Sequence, residues 1–225
     1  MSTSYSPKIV TEGLVFAVDA ANTKSYSGSG TAWNDLSGNN NIGSLTNGPT
    51  FNSGNNGSIL FDGVDDYINL SSISLGNTFT LMAMIRLSGS NADTSIFGSD
   101  ANGQDNWFGV SLDKIYLFGT QTADVNNFNV TGTTTLNTTN TVWYHVACTI
   151  NTSTATLYVN GVQEATSTQA FTIGSWSSTA AVGRRGGLSQ RYFKGHIANI
   201  AAYNRVLSTQ EILQNFNAAR GRFGV

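Results

Sequence analysis

Short runs in which apolar and polar residues alternate follow one another along most of this chain. The clearest strand candidate covers residues 78–87, residues 13–20 are typical of a buried strand, and residues 143–150 and 193–203 show alternation. A period of two predicts strands with one buried face. In the last of these runs the alternation breaks, which predicts a β-bulge near Asn199. Shorter strand candidates lie at residues 57–70, 95–98, 107–112, 115–118, 128–130 and 180–182.

Turn chemistry separates these candidate strands. Asn160-Gly161 lies between residues 155–159 and 162–165 and predicts a hairpin, because both central residues of a type I′ turn need positive φ. Residues 62–66 predict a tight turn that divides residues 57–70 into two strands. The thirty or so residues after Ala20 are rich in Gly, Asn and Ser, which predicts a long loop. We expect the side chains of Trp33 and Leu36 to pack against the sheets and hold this loop in place.

The one clear helix signal lies at the end of the chain. Ser208 and Glu211 have the spacing of a capping box, and Gly221 predicts the helix stop. One apolar stripe follows the cap, formed by Ile212, Leu213, Phe216 and Ala219. Many strands and one helix predict an all-β, two-sheet antiparallel jelly-roll sandwich with a short C-terminal helix. We expect one domain over residues 1–225, with residues 1–12 an N-terminal arm and 208–225 the helix and tail.

The composition of the chain restricts the kinds of partner that it can bind. The 225 residues carry a net charge of -2, and the 11 Lys and Arg are too few to neutralise a phosphate backbone, so we expect no nucleic-acid partner. The start of the sequence lacks the basic and apolar regions of a signal peptide, and no stretch reaches membrane-spanning length. We therefore expect synthesis in a cytoplasm and no membrane insertion. The single Cys148 lies in a strand pattern and is expected to be buried.

Few residues are available for catalysis. Sugar hydrolysis needs two acidic side chains beside the bond, and the three glutamates, Glu12, Glu164 and Glu211, are far apart in sequence. His145 and His196 both fall in strand candidates, where a structural role is the expected one, although a Ser-His-Asp arrangement stays open. We predict that the protein is not an enzyme.

A set of short motifs, in order, resembles the laminin-G/pentraxin-like group of concanavalin A-like domains. They lie at residues 57–68, 78–81, 143–146, 157–161, 195–197 and 203–212. Three further segments, residues 13–20, 33–39 and 215–224, resemble laminin-G-like domains of tailed-phage virion proteins, notably those of marine and cyanobacterial phages. The first resemblance implies the jelly-roll fold and says little about the ligand.

The second resemblance implies a place in a virion. It suggests a non-enzymatic capsid-decorating, tail-associated or tail-fibre protein that is made in the host cytoplasm and acts through contacts with other virion proteins. Adhesion to host-surface glycans and assembly into a homo-oligomer are compatible with this role. The alternative is a free-standing lectin-like carbohydrate-binding module.

Calcium is the one metal candidate, and no cofactor is expected to be required. Asp105-Asn106 resembles a ligand pair of pentraxins, but Arg184 and Arg185 stand where that family has acidic ligands, so its double-calcium site is not expected. Three aspartates, Asp62, Asp65 and Asp66, form a second candidate cluster, for which an ordinary turn is the alternative.

Four residues are candidates for binding glycans: Trp107, Trp176, Arg191 and Tyr192. They lie in or beside predicted loops, where an aromatic face can stack on a sugar while Arg binds hydroxyl groups. The alternatives are that Trp107 belongs to the core and that Trp176 caps a strand end.

Overall fold

A computed structural model describes residues 7–70, 73, 75–90, 92–101, 104–119, 128–168, 180–186 and 190–225. Within these residues, two antiparallel sheets pack as a sandwich and one α-helix follows them. This architecture confirms the predicted all-β jelly-roll with a C-terminal helix. None of the helical residues described forms an apolar segment of the length that crossing a bilayer requires.

Strands that are separated along the chain build each sheet. The first, named here the helix-side sheet, contains β1 (Leu14–Asp19), β4 (Thr50–Asn52), β5 (Ser58–Asp62), β7 (Phe79–Leu87), β12 (Tyr144–Ile150), β13 (Ala155–Val159), β14 (Val162–Ser167) and β16 (Lys194–Tyr203). The second, named the far sheet, contains β2 (Ala32–Asn34), β3 (Ile42–Thr46), β6 (Tyr67–Leu70), β8 (Asp93–Ala101), β9 (Gln104–Ser111), β10 (Lys114–Gly119), β11 (Phe128–Thr131) and β15 (Ala181–Val182).

The spatial order differs from the chain order. The helix-side sheet runs β14-β13-β12-β7-β16-β5-β4, and β1 pairs with the later part of β16. The far sheet runs β11-β10-β9-β8-β15-β6-β3-β2. The turn at residues 62–66 therefore carries the chain from one sheet to the other. The predicted bulge in β16 is confirmed, because the pairing with β7 shifts between Ile197 and Asn199.

The core lies between the two sheets and follows the alternation of the sequence. Phe79, Leu81 and Ile85 of β7 face Phe108, Val110 and Leu117 of the far sheet within one buried cluster. Cys148 belongs to the same cluster, is fully buried and is a free thiol, as predicted. The predicted hairpin is also confirmed, since Asn160 and Gly161 have φ of 50° and 77° between β13 and β14.

The predicted long loop is only partly correct. Trp33 is 1% exposed, as expected, but three short strands, β2, β3 and β4, occupy much of this stretch. Leu36 was expected to pin the loop and instead remains 38% exposed. The backbone is held by its own hydrogen bonds, as in the bond from Leu36 N–H to the Ala17 carbonyl (2.7 Å), so no large buried anchor is needed at this position.

The helix α1 (Thr209–Phe223) covers the outer face of the helix-side sheet. Ser208 and Glu211 form the predicted capping box. The predicted stop at Gly221 is wrong, because the helix continues to Phe223 and ends at Gly224, which adopts a left-handed φ of 70°. Phe223 packs against Trp143, with ring centroids 4.7 Å apart, and this contact holds the last turn in place.

Candidate functional site

Strand β10 of the far sheet presents two aromatic rings on its outer face. Ile115 and Leu117 point into the core, so Tyr116 and Phe118 lie on the opposite side, and both are half-buried. Their ring centroids are 6.4 Å apart and their planes differ by 14°. The two nearly parallel rings form a row of aromatic side chains along the strand, which we name the β10 aromatic strip.

Trp107 of β9 lies directly beside this strip. It pairs with Phe118 in the sheet register, and its ring centroid is 4.9 Å from that of Tyr116. The residue was a candidate for an exposed sugar-stacking position, but it is only 1% exposed. Tyr116, Phe118 and Arg191 cover it, and the Arg191 guanidinium carbon lies 4.6 Å from the Trp107 ring centroid. Trp107 therefore supports the strip from the side, with its own face covered.

A short lobe brings Arg191 to this position. Its described residues are 184–186 and 190–192. A hydrogen bond from Arg185 N–H to the Gln190 carbonyl (3.1 Å) connects these two segments. Ser95 N–H of β8 donates to the Arg191 carbonyl (2.8 Å), and the Arg191 guanidinium pairs with Asp93 at 2.7 Å. These bonds fix the lobe over the outer face of β8 and β9. Tyr192, the neighbouring glycan candidate, is half-buried.

Charge in the lobe is balanced by acids of the sheet beneath it. The Arg185 guanidinium lies 2.7 Å from a carboxylate oxygen of Asp105 and 3.2 Å from one of Asp100. Asp105 and Asn106, the predicted calcium pair, are both buried. An ion at Asp105 would have to displace Arg185, and this contact is the physical reason that a calcium site is disfavoured at this pair.

The second calcium candidate is a turn with its own hydrogen bonds. Carboxylate oxygens of Asp62, Asp65 and Asp66 lie within 4.8 Å of one another. Asp62 accepts from Val64 N–H (2.7 Å), and Asp66 accepts from Asp62 N–H (3.0 Å). Partial burial works to raise the pKa of Asp62, but these and neighbouring backbone donors lower it overall. The turn thus uses oxygens that an ion would need, and calcium binding here stays a prediction.

Polar side chains border the aromatic strip on its other side. In β11 the alternation buries Phe128 and Val130 and exposes Asn129 and Thr131. Asn129 pairs with Phe118 in the register, and Thr131 pairs with Tyr116. The outer face therefore combines flat ring faces with an amide, a hydroxyl and a guanidinium, which are groups that can hydrogen-bond to sugar hydroxyls.

The structure brings together Trp107, Arg191 and Asp105 from the predicted sites, while Asp62, Asp65 and Asp66 lie at a separate turn. Trp176 lies outside the described residues. Our reasoning from the sequence missed Tyr116 and Phe118, although a signal was present. Ile115 and Leu117 alternate with them, so two aromatic residues had to occupy the face opposite the core.

A buried serine-histidine pair lies on the opposite side of the molecule. Ser58 Oγ is 3.1 Å from His196 Nδ1, but these residues are 0% and 2% exposed. Burial, together with the positive charge of Arg86, lowers the pKa of His196 to about 4. A substrate has no access to this serine in the folded protein, so the pair has a structural role in the contact between β5 and β16.

Two glutamates also have structural partners. Glu164 accepts hydrogen bonds from the backbone and hydroxyl groups of Thr133 and Thr134. Glu211 caps the helix and pairs with Arg205 at 2.6 Å. Both carboxylates are therefore used in contacts that hold the fold.

The two-sheet sandwich agrees with the fold of one known superfamily. A family model described as the concanavalin A-like lectin/glucanases superfamily matches residues 62–213, more than half of the chain. The chain belongs to this superfamily. A search of curated protein sequences found no match.

Solved structures share the fold at low sequence identity. Domain 4 of AbnA, an extracellular arabinanase from Geobacillus stearothermophilus solved with arabinotriose, has a TM-score of 0.70 and 16% identity over 90% of this chain and 97% of its own. Botulinum neurotoxin type C, whose cell entry depends on two ganglioside molecules, gives 0.73 and 15% over 93% of this chain. The binding domain of Paraclostridial Mosquitocidal Protein 1 gives 0.70 and 17% over 92% of this chain. This chain spans about half, 52%, of each of these two toxin chains.

Proposed function

We propose that this protein is a non-catalytic glycan-binding domain whose site is the outer face of the far sheet. The observation that carries the proposal is the β10 aromatic strip, in which the ring centroids of Tyr116 and Phe118 lie 6.4 Å apart and the ring planes differ by 14°. Apolar rings on an outer face need a partner of matching shape, and the flat C–H face of a pyranose or furanose ring provides one.

The surroundings of the strip support a sugar as that partner. Asn129 and Thr131 on one side are exposed, and Arg191 on the other is 25% exposed, so hydroxyl groups above the rings can reach them. The acids of the sheet beneath the lobe already pair with its arginines, so these charges largely compensate each other. A neutral oligosaccharide is therefore the class of ligand that we propose.

A glycan array with the wild-type protein, followed by calorimetric titration of its best ligand, tests this proposal. Phe118→Ala is expected to weaken binding about tenfold or more, about 1.4 kcal/mol, because it removes half of the strip. Val162→Ala is the matched control, since Val162 is 64% exposed on the other sheet and should bind as the wild type does. An array without ligands, or equal affinity in Phe118→Ala, would contradict the proposal.

We further propose that the domain acts on a phage virion, as a capsid-decorating or tail-associated protein that contacts other virion proteins. The supporting observation is that the three segments resembling phage proteins meet in the structure. Asp35 Oδ1 accepts from Ala17 N–H (2.9 Å), and both carboxylate oxygens of Asp19 accept from Arg222 (2.7 and 2.9 Å). The three segments that resemble phage proteins therefore belong to one structural unit.

Electron cryo-microscopy of the particle that carries this chain tests the virion role. We expect density for the sandwich at an ordered, repeated position on a capsid or tail, with the β10 aromatic strip facing outward. A chain found only free in solution would exclude the virion role and leave the glycan-binding proposal to be decided by the array.

A further inference from the structure

A cavity of about 420 Å³ lies on the opposite side of the molecule from the aromatic strip. It is partly open and lies between α1 and the outer face of the helix-side sheet, and its volume is within the size range of small-molecule sites. An unfilled cavity lowers the stability of a fold, so one of this size needs a physical reason to persist.

Three local features create the space. The bulge in β16 leaves Ala198 without a partner in β7 and allows Asn199 to line the cavity on the helix side. At this level the helix presents the small side chains of Ala218 and Ala219, and the other helix residues of the lining, Asn215, Arg222 and Phe223, do not fill the gap. The loop between β2 and β3 contributes Leu36, which is partly exposed at the rim.

The walls of the cavity are mostly apolar, and polar side chains lie among them and at the rim. Leu14, Met82 and Ala201 supply apolar surface from the sheet. His145, 3% exposed, also lines the cavity, and its Nδ1 has no hydrogen-bond partner in the described part of the chain. A buried polar atom without a partner is costly, and a bound molecule can offset this cost.

The charges at the rim neutralise each other. Arg222 donates to both carboxylate oxygens of Asp19, and its other nitrogens donate to the carbonyls of Asn55 (2.7 Å) and Gly57 (2.5 Å). The same ion pair lines a shallow depression on the outside, so it stands between that depression and the cavity. Burial lowers the pKa of His145 to about 4, so the remaining lining is uncharged at neutral pH.

We propose that this cavity binds a small neutral molecule that places an apolar ring or short chain against Met82 and Ala218 and one hydroxyl or amide group near His145 and Asn199. A charged ligand is disfavoured, because Asp19 and Arg222 neutralise each other at the rim and the rest of the described lining offers no opposite charge. The site is separate from the proposed glycan surface and does not depend on it.

The test uses 2-naphthol, a neutral two-ring alcohol, and 2-naphthoate, its charged counterpart. With full-length wild-type protein, 2-naphthol is expected to bind saturably and to give nuclear Overhauser contacts to the methyl groups of Met82 and Ala218. The same titration with 2-naphthoate should show a loss of binding. Contacts to the Tyr116 ring in place of Met82, or no saturable binding of 2-naphthol, would overturn the proposal.

A pair of variants then isolates the cavity. Ala218→Leu fills it and should abolish 2-naphthol binding, whereas Ala32→Leu makes the same change at an exposed position of β2 and should leave binding intact. Circular dichroism verifies that both variants fold. If Ala218→Leu does not fold, the contacts to Met82 in the wild type decide the question. Equal binding to Ala218→Leu and wild type would refute the site.

Discussion

The outer faces of the two sheets are built by the same alternation but are covered differently. On the helix-side sheet, the outward residues Met82, Ala147 and Tyr203 are buried under α1 in an apolar cluster that includes Ile212. On the far sheet, the outward rings of Tyr116 and Phe118 are only half-buried, and a lobe covers Trp107 through one arginine. The apolar outer face of the helix-side sheet thus has a permanent cover, whereas the aromatic strip of the far sheet stays partly accessible.

If the helix-side face serves stability and the far-sheet face serves binding, the largest effect on stability should come from a change in α1, which covers the helix-side face. Ile212 is fully buried, so Ile212→Ala should reduce the free energy of unfolding by about 2–5 kcal/mol. Urea denaturation measures this change. Leu213→Ala is the control on the same helix, because Leu213 is 42% exposed and should cost under about 1 kcal/mol. Glycan affinity of the folded Ile212→Ala protein should not change, and a loss there would show that the faces are coupled.

The covered face should also make stability depend on pH. Burial lowers the pKa of His145 from an ordinary 6.5 to about 4, so between these values the unfolded chain binds a proton that the folded protein does not. Stability is therefore highest above pH 6.5 and falls as the pH decreases toward 4, by roughly 3 kcal/mol for this group.

Thermal unfolding between pH 7 and pH 4 measures this dependence. His145→Phe should show a weaker decline, with the remainder due to groups such as His196, whose pKa is lowered in the same direction. An identical pH profile in the variant would indicate that His145 is not desolvated beneath the helix. The far sheet contributes no histidine to this effect, since both histidines of the chain lie in β12 and β16.

The parts of the fold that the sequence predicted depend on local chemistry. The Asn160-Gly161 turn and the capping box at Ser208 and Glu211 each need only a few neighbouring residues, and both formed as expected. Strands β2 and β4 were missed because each has three residues and depends on a partner strand for its hydrogen bonds. Gly221 has the identity of a helix stop, but the tertiary contacts of Arg222 and Phe223 extend the helix past it.

The candidate site was only partly predictable for a related reason. Alternation assigns Trp107, Tyr116 and Phe118 to one face of a sheet, but it does not say what covers that face. The cover over Trp107 comes from Arg191, which is 84 positions away in sequence and is positioned by its ion pair with Asp93. A contact of this kind follows from the tertiary fold and not from local spacing.

A smaller effect is expected where α1 meets β1. Arg222 donates to Asp19 and to two backbone carbonyls, and Arg222→Met should reduce the free energy of unfolding by about 1.5–3 kcal/mol, the range for hydrogen bonds to charged groups. Arg222→Lys should not restore it, since a single ammonium cannot reach all three partners. Urea denaturation measures both, with the exposed Arg220→Met as control. Full stability in Arg222→Lys would mean that charge alone matters at this position.

The smallest effect should come from the thin cover of the far sheet. The Arg191–Asp93 pair is partly exposed, with side chains 25% and 47% accessible, so Arg191→Ala should cost under about 1 kcal/mol. It should nevertheless uncover the Trp107 ring, which shifts tryptophan emission to the red and increases quenching by acrylamide. Arg184→Ala is the matched control, because Arg184 stacks on Tyr67 instead, at 3.6 Å from the ring centroid. Adding Trp107→Phe to Arg191→Ala should remove this red shift. A red shift that persists in the double variant would come from another tryptophan and would mean that Arg191 is not what covers Trp107.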